Sequence, residues 1–433
     1  MDDPDKQLRR DYVSAAEAMN ILHVRPQTLY AYVSRGWIRS IPQKGLKDKL
    51  YLRDDLTRMG MRSLARSGHG AVAASAMNWG EPIFPTSITE ITEQGPRYRS
   101  HLAAELVRSG ASFETVAELL WTGASSGKSP AWPLPRPSAK LVKLTKTLTS
   151  LQAGDNVFES FGLVVLLLGM RRGSVADRLS QAKTLPAARE IMQTVVACCG
   201  FMGVAQKFRP MLKGESIMDG LMHALSLPPT TENSEALRAI LILMADHELS
   251  PGTLSARVVA SAGGTLHSCL ASALCATSGV DVGRTYERVE DFLGHLQTKT
   301  VLVKRARQLH SQGQSVPGFD HPLYPKGDPR AAQLLDIARC RQHQSRELRA
   351  IFRFIDDMRS GADLFPRQEL AVVVLARAMG LSRQTPAALF ALGRLAGWVA
   401  HVQEQRAAGT LLRPRAKYVD PATMPSVSPS QAP

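Results

Sequence analysis

The sequence predicts a mostly helical protein of the all-α class, preceded by a small separate unit at its N-terminus. From about residue 81 onwards, apolar residues recur at spacings of three and four, which is the period of an amphipathic helix. Between Ser150 and Ala262 there is no strand-like alternation of any length. A chain of 433 residues suggests two or three domains rather than one.

The first sixty residues begin with two predicted helices. Ser14 and Glu17 form a capping box, in which the serine accepts from a first-turn amide and the glutamate reaches back to the cap amide. A second helix opens at Pro26, where proline is tolerated in the first turn, and Gly36 ends it.

Short strands follow at residues 37–41 and 50–52 around a basic turn, and residues 54–56 open a last short helix. Two helices at a tight turn with a small hairpin make a winged helix-turn-helix over residues 1–60. The stretch Thr28-Leu-Tyr-Ala-Tyr-Val-Ser-Arg-Gly36 resembles the MerR/excisionase-type module. Such modules bind DNA as two-fold dimers, and some are reused for protein interactions.

From Arg25 to Arg53 there are seven Lys and Arg residues and one acid, Asp48. These charges fall on the predicted recognition helix and wing, where phosphate contacts would be needed. The alternative is a vestigial or protein-binding module with an ordinary solvated face. The residues that we expect to contact DNA are Arg25, Gln27, Thr28, Tyr30, Arg35, Lys44, Lys47 and Lys49.

Composition narrows the function less than the motifs do. The net charge of +15 fits a polyanion partner and also an enzyme of anionic substrates. The charged N-terminus lacks the apolar region of a secretory signal, and the apolar run 161–170 is about half a membrane span, so we interpret it as a buried helix. We expect a cytoplasmic protein without a membrane partner or metal site, and with its five cysteines as reduced core thiols.

The most specific segment is Val316-Pro-Gly-Phe-Asp-His-Pro-Leu-Tyr-Pro-Lys-Gly-Asp-Pro-Arg330. Glycine and proline at this density preclude regular structure and predict a shaped loop. His321 and Arg330 are nine residues apart on this loop, so both can converge on one anion.

This segment resembles the G-F-G-H-P-L-Y-P-x-G-D-P-R-A signature of citrate synthases. The resemblance extends to 87–99 and 112–123, to Ala245-Asp-His-Glu-Leu249 and to Phe390-Ala-Leu-Gly-Arg-Leu-Ala-Gly-Trp398, and it covers roughly residues 81 to 420. Some members of that family carry an N-terminal helix-turn-helix.

The resemblance implies a pocket for oxaloacetate, a dianion with a ketone to polarise. Guanidinium groups match a carboxylate in both charge and plane, and imidazole donates to the ketone. Arg413 would reach across a homodimer to complete the pocket. The implied acid-binding residues are His247, His321, Arg330, Arg394 and Arg413.

The groups that enolise acetyl-CoA in this family are altered. The family's enol-stabilising histidine, from the motif S-G-P-L-H-G-G-A, aligns with Val282, which can donate nothing. The base motif P-N-V-D-F becomes Pro366-Arg-Gln-Glu-Leu370, so Glu369 is the nearest equivalent of the base. The catalytic candidates are therefore His321 and Glu369.

Two further positions differ from the family's pattern. Asp320 replaces a glycine beside His321, and a carboxylate there would favour a protonated His321 if it faces the ring. The backbone at this position is also expected to need a conformation that glycine adopts more easily. Ser100 likewise replaces a glycine after Tyr-Arg.

By resemblance, we expect a large helical domain at 81–282 and 391–420, a small hinged domain at 283–390, and a homodimer. Residues 61–80 are expected to be a linker and residues 421–433 a disordered tail. No cofactor is expected, although acetyl-CoA is a candidate substrate.

Two functions remain open. In the first, the protein binds oxaloacetate or citrate but has weak or no citrate synthase activity alone, as a ligand-responsive regulator or the partner subunit of an active chain. In the second, it is an active citrate synthase that condenses acetyl-CoA, or another acyl-CoA, with oxaloacetate, using Glu369 as the base.

Overall fold

A computed structural model describes residues 12–22, 24, 26–34, 38, 40–42, 49–53, 56, 84–124, 129–150, 157–170, 181–295 and 297–414. The chain forms two compact units. The first contains Met1–Pro85 and Arg413–Pro433, and the second contains Thr86–Leu412. The predicted linker at 61–80 and tail at 421–433 lie outside the described residues.

Among its described residues, the first unit combines two helices with a three-stranded antiparallel sheet. Its elements are β1 (Tyr12–Val13), α1 (Ala15–Leu22), α2 (Pro26–Ser34), β2 (Ser40–Pro42) and β3 (Lys49–Leu52), with sheet order β1-β3-β2. Val13, Leu22, Leu29, Ile38 and Tyr51 are buried in its core.

Both predicted helices of this unit are observed. The amide of Glu17 donates to Ser14 Oγ at 3.3 Å, as expected of a cap, and the Glu17 carboxylate accepts from Arg53 at 2.7 Å. Gln27 and Tyr30 are exposed on α2, Thr28 is partly buried there, and Lys49 is exposed on β3. Four of the predicted DNA contacts, Arg25, Arg35, Lys44 and Lys47, lie outside the described residues, as does most of the predicted helix at 54–56.

The second unit begins with a small sheet that the sequence analysis did not predict. Strands β4 (Thr89–Thr92), β5 (Gly95–Tyr98) and β6 (His101–Leu102) form an antiparallel meander. Tyr98 pairs with His101, so β5 and β6 are joined by a two-residue turn. Arg99 and Ser100 in that turn both have positive φ, 47° and 73°, as a type I′ hairpin requires.

The described part of this unit after β6 is mostly helical, as predicted. Its helices are α3 (Ala103–Arg108), α4 (Phe113–Thr122), α5 (Ala139–Ser150), α6 (Val157–Gly169), α7 (Gln181–Cys198), α8 (Ile217–Leu225), α9 (Thr231–Met244), α10 (Pro251–Ser261), α11 (Leu266–Thr277), α12 (Thr285–Leu293), α13 (Lys299–Ser311), α14 (Pro329–Arg339), α15 (Arg346–Gly361), α16 (Gln368–Ala378) and α17 (Thr385–Ala408).

Helix α17 is the centre of the core. It is buried continuously from Thr385 to Val402, which agrees with its apolar character on all sides, and it packs against α4, α9, α10 and α11. Two of its glycines permit a close approach to the end of α9. A Cβ at Gly393 would lie 2.9 Å from the Leu241 carbonyl oxygen, and one at Gly397 would lie 2.2 Å from Asp246 Oδ1.

Two expectations about burial were wrong in part. The helix α6 is buried on one face only, since Leu163, Leu166 and Met170 just beyond its end are exposed. Among the cysteines, Cys198, Cys199 and Cys269 are buried, but Cys275 and Cys340 are exposed. Within the described residues, no helix is long and apolar enough to cross a membrane.

Candidate functional site

His247 lies just after α9, on a segment that the core holds in place. The Asp246 carboxylate is completely buried and accepts from His401 Nε2 at 3.2 Å and from the Glu248 amide at 3.2 Å. Glu248 has a φ of 58°, so the chain turns sharply after the histidine. His247 itself is half-buried, and its Nε2 lies 3.0 Å from the Tyr324 hydroxyl.

His321 lies on the predicted irregular loop between α13 and α14. The Tyr324 amide donates to the His321 carbonyl at 2.8 Å, which folds the loop back on itself. Three rings meet there. The His321 ring centroid is 5.5 Å from that of His247 and 5.0 Å from that of Tyr324, and the His247 and Tyr324 centroids are 5.7 Å apart.

The hydrogen bonds of His321 indicate its tautomer. The Leu323 amide donates to His321 Nδ1 at 3.1 Å, so the proton of the neutral ring is on Nε2. Burial, then the positive charge of Arg330, lowers the pKa of His321 to about 4. Burial and the same arginine also hold the pKa of His247 well below its usual range. Both rings are therefore neutral at pH 7, and His321 Nε2 is a hydrogen-bond donor.

Asp320 does not have the predicted effect on the protonation of His321. Its Oδ1 accepts from the Phe365 amide at 3.2 Å, and the pKa of His321 is lowered rather than raised. A protonated His321 was expected only if the Asp320 carboxylate faced the ring, and the carboxylate instead accepts from the backbone of another segment. The expectation about the backbone is confirmed, since Asp320 has a φ of 54°.

Two buried arginines lie beside the rings. Arg330 is held by Asp328, the N-cap of α14: Nε donates to Oδ1 at 3.0 Å and Nη2 to Oδ2 at 2.8 Å. Arg394 donates from Nε to the Met244 carbonyl at 2.8 Å, and no carboxylate of the described residues forms an ion pair with it. A buried guanidinium in this state is suited to a carboxylate of a ligand.

Glu369 lies in the first turn of α16 and is buried. Both of its oxygens accept from Arg367, with Nε to Oε2 at 3.1 Å and Nη2 to Oε1 at 3.0 Å. The Arg367 amide donates to the Gly318 carbonyl at 2.8 Å, so this segment is hydrogen-bonded directly to the loop of His321. The charges of Arg367 and Glu369 both affect the pKa of His321.

The turn between α11 and α12 carries Val282, which is half-buried and has no polar side-chain atom. Tyr286 in the first turn of α12 donates from its hydroxyl to Gln368 Oε1 at 2.9 Å, which connects this turn to the residue before Glu369. Arg413, the fifth predicted acid-binding residue, is exposed and belongs to the first compact unit. The structure thus groups His247, His321, Arg330 and Arg394, with Glu369 nearby.

Three residues that shape this site were not predicted from the sequence. Tyr324 contacts both histidines, Asp328 orients Arg330, and Arg367 donates to both oxygens of the Glu369 carboxylate. The spacing of the last two pairs was the available clue, because an acid and an arginine two residues apart at a helix start can form a local fork. Among the described residues no group of His, Cys, Asp or Glu is arranged to hold a metal ion.

Comparisons with known proteins agree with these motifs. The family model described as "Citrate synthase, C-terminal domain" matches residues 77–415. A putative citrate synthase 2 of Mycobacterium tuberculosis (strain ATCC 25618 / H37Rv) is 27% identical over 351 residues, which is 79% of this chain and 92% of the relative. Citrate synthase 2 of Bacillus subtilis (strain 168) is 28% identical over 222 residues, covering 51% of this chain and 56% of the relative.

Solved structures show the fold. Citrate synthase from Thermotoga maritima MSB8 superposes with a TM-score of 0.66 at 22% identity, over 82% of this chain and 98% of that one. The ternary complex of carboxymethyl coenzyme A and oxaloacetate with citrate synthase from Thermoplasma acidophilum gives a TM-score of 0.64 at 20% identity, over 81% and 97%.

Proposed function

Because the chain belongs to the citrate synthase family, we propose that it binds oxaloacetate or citrate in the cleft of His247, His321, Arg330 and Arg394, with little or no citrate synthase activity alone. The observation that carries this proposal is the contrast between two halves of one site. The acid-binding side has two neutral histidines and two buried arginines. On the enolisation side, Val282 has no donor and Glu369 is tied to Arg367.

On the acid-binding side, each group has a clear task. A carboxylate of the ligand would lie against Arg394 and the free edge of Arg330, and the ketone oxygen would accept from His321 Nε2. A neutral donor suits a ketone, because its hydrogen bond polarises the carbonyl oxygen without placing a full positive charge beside the ligand. His247 would donate to the ligand while its partner Tyr324 holds the ring in place.

The enolisation side has no comparable set. A thioester methyl is a weak carbon acid and needs both a base and a donor to the developing enol oxygen. Loss of that donor alone costs roughly a hundred- to a thousandfold in kcat. With Val282 in place of histidine, the protein would act as a ligand-responsive regulator or as the partner subunit of an active citrate synthase chain.

The test is a free-thiol release assay with acetyl-CoA and oxaloacetate on the pure protein, beside calorimetric binding of oxaloacetate. We expect binding without turnover, and loss of binding in Arg394→Gln. Wild-type turnover at an ordinary rate would end the proposal, as would the absence of any binding by oxaloacetate or citrate.

The second candidate is an active citrate synthase that uses Glu369 as the base and another donor in place of the histidine. The burial of Glu369 beside the His321 loop favours it, because burial and proximity are what a base needs. In this case wild type would turn over acetyl-CoA or another acyl-CoA, and Glu369→Gln would abolish the activity.

We also propose that the first unit is a winged helix-turn-helix that binds DNA. Its two helices followed by the β2–β3 hairpin, with Gln27 and Tyr30 exposed on α2, support this. In gel shifts we expect a salt-dependent complex that Lys44→Ala and Lys47→Ala weaken for all sequences, since phosphate contacts carry no sequence information. Lys143→Ala in α5 removes the same charge from the other unit and should have no effect.

A homodimer is part of this proposal. The exposed apolar side chains on α6, Leu163 and Leu166, with Met170 beyond it, are the kind of surface that a subunit interface covers. In such a dimer, Arg413 would complete the partner's pocket. Sedimentation of wild type and of Leu163→Asp would check this: the variant should be monomeric and should bind oxaloacetate more weakly.

A further inference from the structure

We propose that Glu369 anchors Arg367 instead of acting as a base, and that Arg367 receives an additional carboxylate of the ligand. The cleft would therefore prefer a tricarboxylate, such as citrate, to a dicarboxylate, such as oxaloacetate. This inference rests on the proposed binding of acids in the cleft. It assigns a role to a residue that lies next to the expected base.

The Arg367–Glu369 pair repeats the geometry of the Arg330–Asp328 pair. In both, one carboxylate oxygen accepts from Nε, at 3.1 Å and 3.0 Å, and the other accepts from Nη2, at 3.0 Å and 2.8 Å. In both, the acid is two residues from the arginine and close to the start of a helix. Asp328 orients the guanidinium of Arg330. The matching geometry indicates that Glu369 orients the guanidinium of Arg367 in the same way.

A guanidinium held in this way keeps one edge free. It has five N–H groups, of which the fork uses one on Nε and one on Nη2. The three remaining groups of Arg367, on Nη1 and Nη2, have no hydrogen-bond partner among the described residues. The Arg367 side chain is 30% exposed, whereas that of Glu369 is 8% exposed, so the arginine is the accessible member of the pair.

The backbone places Arg367 beside the loop of His321. Phe319 and Pro366 form a bridge, the Asp320 amide donates to the Phe365 carbonyl at 2.8 Å, and the Arg367 amide donates to Gly318 at 2.8 Å. Arg367 and the two residues before it are thus paired with Gly318, Phe319 and Asp320, which directly precede His321. Its charge contributes to the lowered pKa of His321, which is an electrostatic sign of the same proximity.

The base role fits this geometry poorly. Both Glu369 oxygens already accept charge-assisted hydrogen bonds, so taking a proton from carbon would weaken two of them. Binding a carboxylate of a ligand would not disturb these hydrogen bonds, because the free edge of Arg367 offers parallel donors and positive charge. Val282 adds no donor that an enol oxygen would need.

Isothermal titration of the full-length protein with citrate and with oxaloacetate tests this. We expect wild type to bind citrate at least about tenfold more tightly, because one charge-assisted fork is worth about ten- to a hundredfold in affinity. Arg367→Gln should lose that preference and keep its oxaloacetate affinity. Unchanged oxaloacetate binding also shows that the variant is folded.

Arg339 provides a matched control. Its guanidinium forks Asp356 at 3.3 and 2.8 Å, its side chain is 37% exposed, and it lies at the opposite end of α14 from Arg330, about 14 Å along the helix. Arg339→Gln should bind both acids as wild type does. Glu369→Gln should keep citrate binding within about threefold, since a carboxamide oxygen can still accept from Arg367.

Three outcomes would overturn the inference. If Arg367→Gln binds citrate as tightly as wild type, Arg367 does not receive a carboxylate, while oxaloacetate binding that depends on Arg394 would leave the proposed function standing. If wild type releases thiol from acetyl-CoA and Glu369→Gln does not, Glu369 is a base. If neither acid binds wild type, the inference and the proposed function fail together.

Discussion

His401 donates a hydrogen bond from Nε2 to the Asp246 carboxylate at 3.2 Å, and both side chains are completely buried. The Nδ1 atom of the same ring accepts from Arg257 Nη1 at 3.1 Å. Arg257 also pairs with Glu404 at 2.7 Å, and Glu404 accepts from the Ser87 amide at 2.7 Å. Asp246 precedes His247, so this chain of contacts connects the site histidine to α10, α17 and the segment before β4.

Replacing His401 should be costly because it removes a buried side-chain donor from the charged Asp246 carboxylate, to which the Glu248 amide still donates. We expect His401→Ala to lower the free energy of unfolding by about 3–5 kcal/mol, measured from urea denaturation. His401→Gln should lose less, because its amide nitrogen can still donate to Asp246. The exposed His343 is the matched control, and His343→Ala should leave the midpoint unchanged. A similar small effect in all three variants would contradict this account.

The approach of α17 to the Asp246 segment leads to a second prediction. A Cβ at Gly397 would lie 2.2 Å from Asp246 Oδ1 and 2.5 Å from the Ala245 carbonyl oxygen, and this backbone cannot move aside cheaply. Gly397→Ala should therefore destabilise the protein by at least about 1–3 kcal/mol and weaken oxaloacetate binding by displacing His247.

Gly361 is a useful comparison, because it ends α15 with nothing within 4 Å of its would-be Cβ. Gly361→Ala should be neutral or stabilising by up to about 1 kcal/mol, since alanine loses less chain entropy on folding. If Gly397→Ala were as well tolerated as Gly361→Ala, the close contact at Asp246 would be wrong. Thermal unfolding and oxaloacetate titration of both variants are the measurements.

The hairpin turn between β5 and β6 predicts a stabilising change. Ser100 has a φ of 73° and is exposed, so its backbone is in the left-handed region that glycine adopts without cost. Ser100→Gly should raise the free energy of unfolding by up to about 1 kcal/mol, because the relief of the left-handed strain exceeds the extra chain entropy that glycine loses on folding. Ser109, with a φ of −73°, is the control, and Ser109→Gly should instead be destabilising. Equal effects of the two changes in urea denaturation would refute the argument.

Local patterns predicted the helices and the irregular loop, because both depend on residues that are neighbours in sequence. The capped helix at Ser14 and the Gly- and Pro-rich loop before Arg330 are examples. The β4–β6 meander was not predicted, because its strands are two to four residues long, too short to show an alternating pattern. Its only clue was the turn after Tyr98, where serine stands instead of glycine.

The partners of charged side chains were the harder part to predict. Sequence spacing indicated that His321 and Arg330 could meet, but not that the Asp320 carboxylate would accept from the Phe365 amide. That contact depends on which segment packs against the loop, and Phe365 is 45 positions away from Asp320 in the chain. Electrostatic arguments from neighbours in sequence fail where the tertiary neighbour is closer.

The lowered pKa of His321 makes a prediction about acid stability. The unfolded ring has an ordinary pKa near 6.5, whereas the folded ring titrates at about 4, so between these values the unfolded state binds more protons. Stability should therefore fall as the pH falls from about 6.5 to about 4, and it should not fall further from this group below that. The lowered pKa of His247 acts in the same direction.

The His321→Gln variant tests this, because glutamine keeps a donor but does not titrate. The full pKa difference corresponds to about 3 kcal/mol, and solvent screening of a partly exposed ring reduces the expected effect to about 1–2 kcal/mol. Urea denaturation at pH 7 and pH 4.5 should show a smaller loss of stability in the variant than in wild type. His310→Gln, on the last turn of α13, should lose as much as wild type. An identical acid loss in all three proteins would mean that the His321 ring is not held neutral by its surroundings.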